Sequence, residues 1–487
     1  MKKTSMQKGV RRVTKYDVTN PKEIEKHGKL LENKTFRDIL IENSELIKES
    51  DYDYHVSKKA KGSLGHLIEE YHFNYQPNND ENPDFVEAGV ELKVTPIKKL
   101  KSGKYSAKER LVLNIINYEK IINEDFKNSS FWLKNQLLLL IYYLYEKDKD
   151  KLDYLIKKVL LYEFPEKDLK IIEDDWNFIK NKVLEGKAHE LSEGDTNYLG
   201  ACTKGANRKT VRSQPYSTIK ARQRAFSLKS SYMTSLIRRI VNNETLTSFA
   251  DLNILQDKTL HELLVDKFRP FIGLTPKQIA EKVNLEYKAN NKSMIPQIIS
   301  SILGIKGTKL NQIEEFSKAN IEYKTVRLEP SGVPKESMSF QNIKFDEILR
   351  ESWEDSFLRN RFIDTKFLFI IFQFNETESQ NKNRQPIFKG IKLWNMPEDV
   401  IDTKLFELWN EIRSILNAGV DISYTTRKDG KVIERNNFPK TDFNGVAHVR
   451  PKGRDGKDKV FLPDGRKITK QCYWLNNKYI AEILKIY

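Results

Sequence analysis

The sequence predicts an α/β fold, present twice in tandem, in which a mixed β-sheet is flanked by helices. Short β-rich segments alternate with segments whose apolar residues lie three or four positions apart, a pattern typical of α/β domains. A series of landmarks in the first half of the chain recurs in the same order about 230 residues later. A repeat of that length is too long for a solenoid and indicates a duplicated domain.

Four matched segments define the duplication at a nearly constant offset. They are PDFVEAGVELKVTP (83–96) with EEFSKANIEYKTV (314–326), QLLLLIYYLY (136–145) with KFLFIIFQF (366–374), VLLYEFPE (159–166) with IKLWNMPE (391–398), and Trp176 and Gly186 with Trp409 and Gly419. Later matches have a larger offset because the second copy carries an insertion near 427–441. We therefore predict a basic tail (1–25), a first domain (26–245), a linker (246–260) and a second domain (261–487).

Individual elements follow from the same patterns. Val90–Val94 and the apolar run from Leu137 predict strands, and the segment 62–71 (GSLGHLIEEY) predicts a helix that begins at a glycine. The segment 106–122 and the region around Trp176 predict helices, because their apolar residues lie three and four apart.

The distribution of charge indicates a nucleic-acid partner. The chain has 84 Lys and Arg residues against 68 Asp and Glu residues, a net charge of +16. Residues 196–243 contain ten basic residues and no acidic one, and residues 98–110 contain six basic residues and one acidic residue. A solvated basic face is the alternative for scattered lysines, but an acid-free tract of this length favours phosphate binding.

Several classes of protein are excluded. Cys202 and Cys472 lie far apart and cannot form a disulfide framework or a four-ligand zinc site, which favours a reducing compartment. The N-terminal segment lacks the apolar region of a signal peptide, and no apolar run approaches the ~20 residues of a membrane span. We expect a soluble, cytoplasmic protein with no membrane partner.

Two carboxylates and a lysine converge on one predicted strand. Alternation along Val90–Val94 puts Glu91 and Lys93 on the same face, and Asp84 lies seven residues before Glu91, across a Gly89 that permits a tight turn. Two carboxylates form an oxygen site suited to Mg²⁺, and the lysine can stabilise charge on an attacked phosphate. These are the requirements of phosphodiester hydrolysis.

The motif alone is weak, because an amphipathic edge strand with an exposed ion pair has the same residues. The basic tracts and the repetition of the same residue types in the second copy favour the nuclease interpretation. Glu69, on the helix predicted upstream, either approaches the site as a third acid, holds Lys93, or is an ordinary residue of a surface helix.

The order of the segments LGHLIEEYH, PDFVEAGVELKVTP, YLGACTKGAN and FSLKSSYMTSL resembles that of MutH, the mismatch-repair endonuclease, in the PD-(D/E)XK nuclease superfamily. The duplicated length and the segments 106–120 and 186–194 are similar to type II restriction endonucleases that cut at GATC and contain two MutH-like domains. The resemblance covers nearly the whole chain, except the first 25 or so residues and the insertion. It implies a tandem duplication of a MutH-like PD-(D/E)XK fold.

The resemblance also implies roles for individual residues in the first copy. Asp84 and Glu91 match the ligands of Mg²⁺, and Lys93 matches the lysine that acts at the attacked phosphate. Glu69 matches the family's additional catalytic glutamate, and Lys134 lies where the family has a further active-site lysine.

The residues expected to contact DNA come from the resemblance and from the basic tract. Lys204 matches the base-contacting lysine, although Cys202 and Thr203 replace the family's usual Arg-Pro, and Ser227 replaces a tyrosine that senses adenine methylation. In the second copy, Arg450-Pro451-Lys452 has the Arg-Pro-Lys sequence that the family has in its DNA-contacting loop. An arginine can donate hydrogen bonds to N7 and O6 of guanine. The full set is Lys204, Asn207, Arg208, Ser227, Lys229, Arg450 and Lys452.

The second copy departs from the first at its acids. Glu315, Glu322 and Lys324 keep the pattern with Glu in place of Asp, but Ser300 stands where the first copy has Glu69. The simplest interpretation is a domain that binds GATC without cutting and acts as an effector. A degenerate scaffold for dimerisation and a second working active site are the alternatives.

The function that the resemblance implies is a Mg²⁺-dependent type II restriction endonuclease that recognises GATC in double-stranded DNA. Because GATC is two-fold symmetric and one active site cuts one strand, we expect two chains to associate on DNA. A cognate DNA methyltransferase is the expected genetic partner. The alternatives are a strand-nicking mismatch-repair endonuclease and a non-catalytic GATC-binding protein.

Overall fold

A computed structural model describes residues 16–46, 62–77, 81–205, 210–307, 309–427, 430, 432–455 and 458–485. The described chain divides into two compact units. Unit 1 takes its residues from Met1–Leu191, Thr196–Thr259 and Ser317–Ala319, and unit 2 from Ser192–Asp195, Leu260–Phe316 and Asn320–Tyr487. None of the described helices is both long enough and apolar enough to span a bilayer.

Unit 1 is built on a four-stranded mixed sheet, a three-stranded antiparallel sheet and a hairpin. Its strands are β1 Val90–Lys99, β2 Tyr105–Ala107, β3 Leu111–Ile115, β4 Leu137–Leu144, β5 Leu155–Glu163, β6 Leu199–Thr203, β7 Val211–Gln214, β8 Ser217–Arg222 and β9 Arg224–Leu228. The mixed sheet has the order β2-β1-β4-β5, with β1 parallel to β4 and the other pairs antiparallel. The small sheet has the order β3-β9-β6, and β7 pairs with β8.

The helices up to Thr259 cover these sheets. They are α1 Pro21–Lys29, α2 Phe36–Glu42, α3 Ser63–Leu67, α4 Tyr118–Ile121, α5 Ser130–Asn135, α6 Glu166–Leu184, α7 Ser230–Ile240 and α8 Leu252–Asp257. The longest, α6, buries Ile172, Trp176, Ile179 and Val183, which recur at the three- and four-residue spacing of one helix face. A π-helical turn, Ile68–His72, continues α3.

Unit 2 repeats this plan. Its strands are β10 Ile321–Leu328, β11 Met338–Asn342, β12 Lys366–Gln373, β13 Ile387–Trp394, β14 Ile422–Thr426, β15 Val432–Asn436, β16 Ala447–Pro451, β17 Lys459–Phe461, β18 Lys467–Thr469 and β19 Gln471–Leu475. β10 is parallel to β12, which is antiparallel to β13, and the small sheet has the order β11-β19-β16. β14 pairs with β15, and β17 pairs with β18.

The helices after Thr259 complete the description. They are α9 Leu260–Phe268, α10 Pro276–Lys282, α11 Met294–Ile302, α12 Glu314–Ala319, α13 Phe345–Arg350, α14 Phe357–Ile363, α15 Glu398–Val400, α16 Phe406–Ala418 and α17 Asn477–Leu484. A π-helical turn, Ile401–Leu405, joins α15 to α16.

The register of the sheets shows that the two copies share one topology. Glu91 of β1 lies opposite Leu138 of β4, and Glu322 of β10 lies opposite Phe367 of β12, one residue after the first pair of each ladder. The insertion predicted near 427–441 coincides with the β14–β15 hairpin, for which unit 1 has no counterpart among its described strands. The predicted tandem α/β fold with mixed sheets is confirmed.

Some predicted boundaries differ from the structure. Helix α1 begins inside the segment predicted as a basic tail, because Asn20 caps the amide of Lys22, Pro21 suits the first helical turn, and Ile24 is buried. Helix α8 lies inside the predicted linker, where Asp251 caps its first turn. The helix predicted over 106–122 is wrong: this segment forms β2, β3 and α4, because its apolar residues face sheet partners distant in the chain.

A stack of aromatic rings attaches the π-helical turn to α1. His27 and His72 stack with ring centroids 4.3 Å apart, and each ring nitrogen Nε2 lies 3.0 Å from the backbone oxygen of the other residue. Tyr16 stacks on the other face of His27, at 4.1 Å. Burial, with the neighbouring His27 ring, lowers the pKa of His72 to about 3, so the folded protein holds this ring neutral.

This stack predicts a loss of stability in acid. The unfolded chain protonates His72 below a pH of about 6.5, whereas the folded chain resists protonation down to about 3, so stability falls as the pH falls through that window. Each pH unit in which only the unfolded state takes up the proton costs about 1.4 kcal/mol. His72→Asn is expected to flatten the decline in melting temperature between about pH 7 and 5. His189→Asn, outside the stack, is the control, and equal declines in parent and His72→Asn protein would contradict the assignment.

Candidate active site

A tight turn places Asp84 beside the first residues of β1. Phe85 and Val90 exchange two backbone hydrogen bonds, of 2.9 and 3.2 Å, and Gly89 closes the turn with a φ of 65°. The Asp84 amide donates to Oε2 of Glu91 at 3.2 Å, and Oδ2 of Asp84 accepts from the amide of Leu92 at 2.9 Å. The two carboxylates predicted from the sequence therefore lie together.

Two lysines contact the buried carboxylate of Glu91. Nζ of Lys93 donates to Oε1 of Glu91 at 2.5 Å, on the strand face that alternation predicted. Nζ of Lys134 lies 3.7 Å from the same oxygen. Lys134 is in the last turn of α5, directly before β4, so the parallel pairing of β4 with β1 brings it to the site.

Glu69 faces the same site from the π-helical turn. Such turns are rare and often occur at functional positions, because the extra residue changes the direction of a side chain. Burial raises the pKa of Glu69 to about 8, and the negative charges of Asp84 and Glu91 add to the shift. Burial and the charge of Glu91 also raise the pKa of Asp84. Three carboxylates thus share the site with two lysines, and a bound cation would relieve the excess negative charge that their full ionisation creates.

Tyr75 also borders these acids and was not predicted from the sequence, since a tyrosine among apolar residues has no distinguishing spacing. Its hydroxyl is buried and finds no hydrogen-bond partner in the described part of the protein. Burial raises its pKa, with further contributions from Asp84, Glu69 and Glu91.

The donor set fits a hydrated magnesium ion. Within the described residues, no group of three or more His, Cys, Asp or Glu side chains is arranged to hold a metal by itself. Asp84 and Glu91 supply carboxylate oxygens, and Mg²⁺ characteristically combines one or two carboxylates with several waters and substrate phosphate oxygens. The excess negative charge and the unsatisfied Tyr75 hydroxyl are consistent with a cation and its waters at this place.

The corresponding place in unit 2 has different chemistry. Glu322 is 42% exposed and forms an ion pair with Arg361 of α14, while Nζ of Lys324 lies 3.9 Å away. Glu315 is fully buried on α12, and Ser300 is buried with its hydroxyl donating to the Gln297 carbonyl. Asn320, with a φ of 52°, takes the place of Gly89 before the strand. A left-handed residue precedes the strand in both units, but in unit 2 it ends helix α12, whereas in unit 1 it closes a tight turn, and the acids are not arranged alike.

Lys204 lies exposed directly after β6, where a DNA-contacting side chain is expected. The carboxylate of Asp175 on α6 fixes the start of β6, since it accepts from three successive backbone amides, those of residues 197, 198 and 199, at 2.7, 2.6 and 3.0 Å. The Lys204 amide donates to the carbonyl of Gln223 at 2.8 Å, which fixes the end of the segment. Asn207 and Arg208 lie outside the described residues.

Two other predicted DNA contacts are buried. Ser227 is 1% exposed on the central strand β9, and Lys229 is 7% exposed with its ammonium donating to the carbonyl of Thr196 at 2.5 Å. Arg224, another cation of the basic tract, is also buried and donates to the Ala201 carbonyl. A side chain that contacts DNA directly must be accessible, so we do not assign Ser227 and Lys229 to the interface.

Arg450 and Lys452 are exposed at the end of β16, the counterpart of β6 in unit 2. The Arg450 guanidinium lies 5.1 Å and the Lys452 ammonium 5.8 Å from the centroid of the Trp474 ring. Nζ of Lys452 also donates to the hydroxyl of Ser339.

Comparison with known proteins gives the class to which this fold and site belong. The family model described as DNA mismatch repair enzyme MutH matches residues 73–175 and 307–403, once in each copy. The chain is thus a nuclease of MutH-like fold, duplicated in tandem.

Individual relatives narrow the class. The chain is 41% identical over 462 residues, 87% of this chain and 92% of the relative, to the type II restriction enzyme Sau3AI of Staphylococcus aureus. It is 23% identical to the DNA mismatch repair protein MutH of Pasteurella multocida (strain Pm70) and 22% identical to that of Actinobacillus pleuropneumoniae serotype 3 (strain JL03). Each of these two matches covers 46% of this chain, and 93% and 92% of the respective relative. The chain belongs to the family of MutH-like type II restriction enzymes and is a site-specific nuclease.

The raised pKa of Glu69 predicts that this acid destabilises the metal-free protein at alkaline pH. The folded chain keeps the proton up to about pH 8, whereas the unfolded chain loses it near 4.5, so stability falls as the pH rises between these values. Glu69→Gln is expected to raise the melting temperature in EDTA at pH 8 by at least about 2–4 °C, the effect of roughly 1 kcal/mol in a domain of this size, and to have little effect near pH 4.

The control for this measurement is Glu87→Gln, which neutralises an exposed glutamate of the turn before β1. Thermal unfolding followed by circular dichroism at several pH values gives both profiles. A melting temperature of Glu69→Gln protein that tracks the parent at every pH would refute the electrostatic origin of the effect.

Proposed function

We propose that this enzyme cuts double-stranded DNA at GATC in a Mg²⁺-dependent reaction, with the active site in unit 1. The observation that carries the proposal is the arrangement of Asp84, Glu91 and Lys93 at the start of β1, in a chain whose relative over most of its length is a type II restriction enzyme. Carboxylate pairs with an adjacent lysine are suited to phosphodiester hydrolysis, because they combine a metal site with a positive charge for the phosphate.

The side chains of the site have separate tasks in this proposal. Asp84 and Glu91 hold Mg²⁺, which supplies a Lewis acid that polarises the phosphate and lowers the pKa of water. Lys93 and Lys134 hold the Glu91 carboxylate in position and offset the negative charge that grows on the attacked phosphate. Glu69, whose pKa of about 8 lies near neutrality, can hold or release a proton beside the attacked group.

Lys204 in unit 1 and Arg450 and Lys452 in unit 2 are the proposed contacts to DNA. Their exposed positions at the ends of β6 and β16 support this role. Arg450 can donate two hydrogen bonds to guanine in the major groove, and the lysines can contact bases or phosphates. Asn207 and Arg208 remain predicted contacts on the basis of the sequence.

Unit 2 acts in this proposal as an allosteric module that binds GATC without cutting. The pairing of Glu322 with Arg361 supports the loss of metal binding, because this guanidinium is fixed against the carboxylate by a hydrogen bond to Thr365 and by the Phe367 ring, whereas the lysines beside Glu91 are flexible point charges. Ser300 in place of a third acid supports the same conclusion. A second working active site would need Glu322 and Glu315 free to hold the metal together.

The proposal extends to partners. A two-fold symmetric site requires two catalytic centres related by a dyad for one-step cleavage, so two chains are expected to associate on DNA with unit 1 of each at one strand. A DNA methyltransferase of the same specificity would protect the host genome in the cytoplasm. Sedimentation of the enzyme on an uncleavable GATC duplex should show two chains, and a monomer that cuts both strands in one encounter would exclude this arrangement.

The matched acids Glu91 and Glu322 provide the central test. Glu91→Ala is expected to lower Mg²⁺-dependent cutting of a GATC plasmid by about 100-fold or more, with DNA affinity in EDTA retained. Glu322→Ala is expected to retain cutting, because that carboxylate is held by Arg361. With the parent enzyme, linear plasmid indicates a restriction enzyme, and nicked circles indicate the strand-nicking alternative. A large loss of cutting in Glu322→Ala protein would assign catalysis to unit 2 as well.

A further inference from the structure

The ratio of acids to cations at the start of the parallel ladder differs between the two copies. In unit 1, three acids converge there with Lys93 and Lys134. In unit 2, the same strand position carries Lys324, with Arg361 beside it, around the single exposed acid Glu322. A place that has an excess of cations favours an anion, whereas the place in unit 1 favours a metal ion.

Aromatic rings hold the two cations of unit 2 in position. Nζ of Lys324 lies 4.8 Å from the centroid of the Phe340 ring, and the Arg361 guanidinium lies 5.7 Å from that of Phe367. Phe340 and Phe367 contact each other edge to face, with centroids 5.4 Å apart. The two cations therefore lie against two rings that contact each other, of which Phe340 is partly exposed and Phe367 is buried.

The proposed DNA contacts of unit 2 lie near these two cations. Lys452 donates to the hydroxyl of Ser339 on β11, the strand that carries Phe340, and shares the Trp474 ring with Arg450. Burial lowers the pKa of Lys324; the negative charge of Glu322 opposes this shift, and the positive charges of Arg361 and Lys452 add to it, so both cations lie within electrostatic range of Lys324. Arg450, Lys452, Lys324 and Arg361 thus form a basic track, by which name we refer to these four residues below.

Arg361 has N–H groups that can donate hydrogen bonds to a ligand. Its Nη2 binds Glu322 and its Nη1 donates to the Thr365 hydroxyl at 2.9 Å, which fixes the plane of the guanidinium. A guanidinium has five N–H groups, so both terminal nitrogens keep a further hydrogen. A fixed guanidinium with free N–H groups suits the oxygens of a phosphodiester.

We propose that Lys324 and Arg361 form a metal-independent site for a phosphate of the DNA backbone, at the place that corresponds to the active site of unit 1. This inference rests on the proposed function of unit 2 as a DNA-binding module. It extends that function by assigning a phosphate contact to the residues of unit 2 that correspond in position to the candidate active site of unit 1. The basic track binds the backbone from Arg450 at one end to Arg361 at the other. DNA is held there without hydrolysis, since Arg361 binds Glu322, the acid beside this phosphate, and Ser300 stands in place of a third acid.

Salt dependence of DNA binding tests the proposal. Binding of a GATC duplex is measured in EDTA by fluorescence anisotropy, on full-length protein that carries Lys93→Ala so that the duplex stays intact. Adding Lys324→Gln and Arg361→Gln together is expected to weaken binding by roughly 3–10-fold at low salt and to reduce the slope of log affinity against log salt by about 1 unit, the value for one lost phosphate contact. Replacing EDTA with Ca²⁺ is expected to leave both differences unchanged.

The control is Lys335→Gln, which removes an exposed lysine of unit 2 that pairs with Glu378 outside the track. The variant Glu322→Gln tests whether Arg361 binds phosphate or only stabilises the fold by pairing with Glu322. If Arg361 serves only to pair with Glu322, this variant lowers thermal stability and DNA affinity together with the Arg361 variants. If Arg361 binds phosphate, releasing it from Glu322 tightens DNA binding by roughly 2–5-fold, as expected when one opposing charge is removed.

Further variants in the same binding experiment distinguish failure of this inference from failure of the proposed function. If Arg450→Ala weakens binding but the Lys324 and Arg361 variants do not, unit 2 binds DNA by another route and the phosphate site is rejected. If none of them changes affinity, the DNA-binding role of unit 2 fails as well. If inorganic phosphate raises the melting temperature of the parent and not of the double variant while the salt slope stays the same, the site takes a free anion and the DNA assignment is overturned.

Discussion

The parallel ladder between β1 and β4 is the constraint on which the candidate active site depends. It sets Glu91 opposite Leu138, one residue after β4 begins, so that the helix end directly before β4 delivers Lys134 to the carboxylate. Parallel strands need a crossover connection, and here the crossover contains the small-sheet strand β3 and helix α5. The Glu91 carboxylate and the Lys134 ammonium are therefore brought together by one pairing.

Unit 2 shows that the parallel ladder can be kept while the charged side chains beside it differ. Its ladder has the same register, and Asn320 adopts the left-handed conformation that Gly89 adopts in unit 1. Asparagine tolerates this region better than most other side chains, so it can occupy this position, although in unit 2 the position ends helix α12 and not a tight turn. The two units differ in charge here while they share the ladder, because a few side chains determine the electrostatics and the buried apolar residues determine the fold.

The sequence predicted those features that depend on local spacing. Alternation placed Glu91 and Lys93 on one face, and the repeated landmarks gave the duplication. Contacts between distant segments were not predictable in this way: apolar spacing over 106–122 suits a helix, yet pairing with β9 makes part of it a strand. Burial of Lys229 and the ion pair between Arg361 and Glu322 likewise depend on tertiary neighbours that no local pattern reveals.

The order of strands within each small sheet has a consequence for synthesis on the ribosome. The central strand of each sheet, β9 in unit 1 and β19 in unit 2, is the last strand of its unit in the chain. Neither β3 and β6 nor β11 and β16 can pair until that strand emerges. A nascent or truncated chain thus carries Asp84, Glu91 and Lys93 before the sheet that supports Lys204 can form, so the proposed catalytic residues are made before the proposed DNA contact has its support.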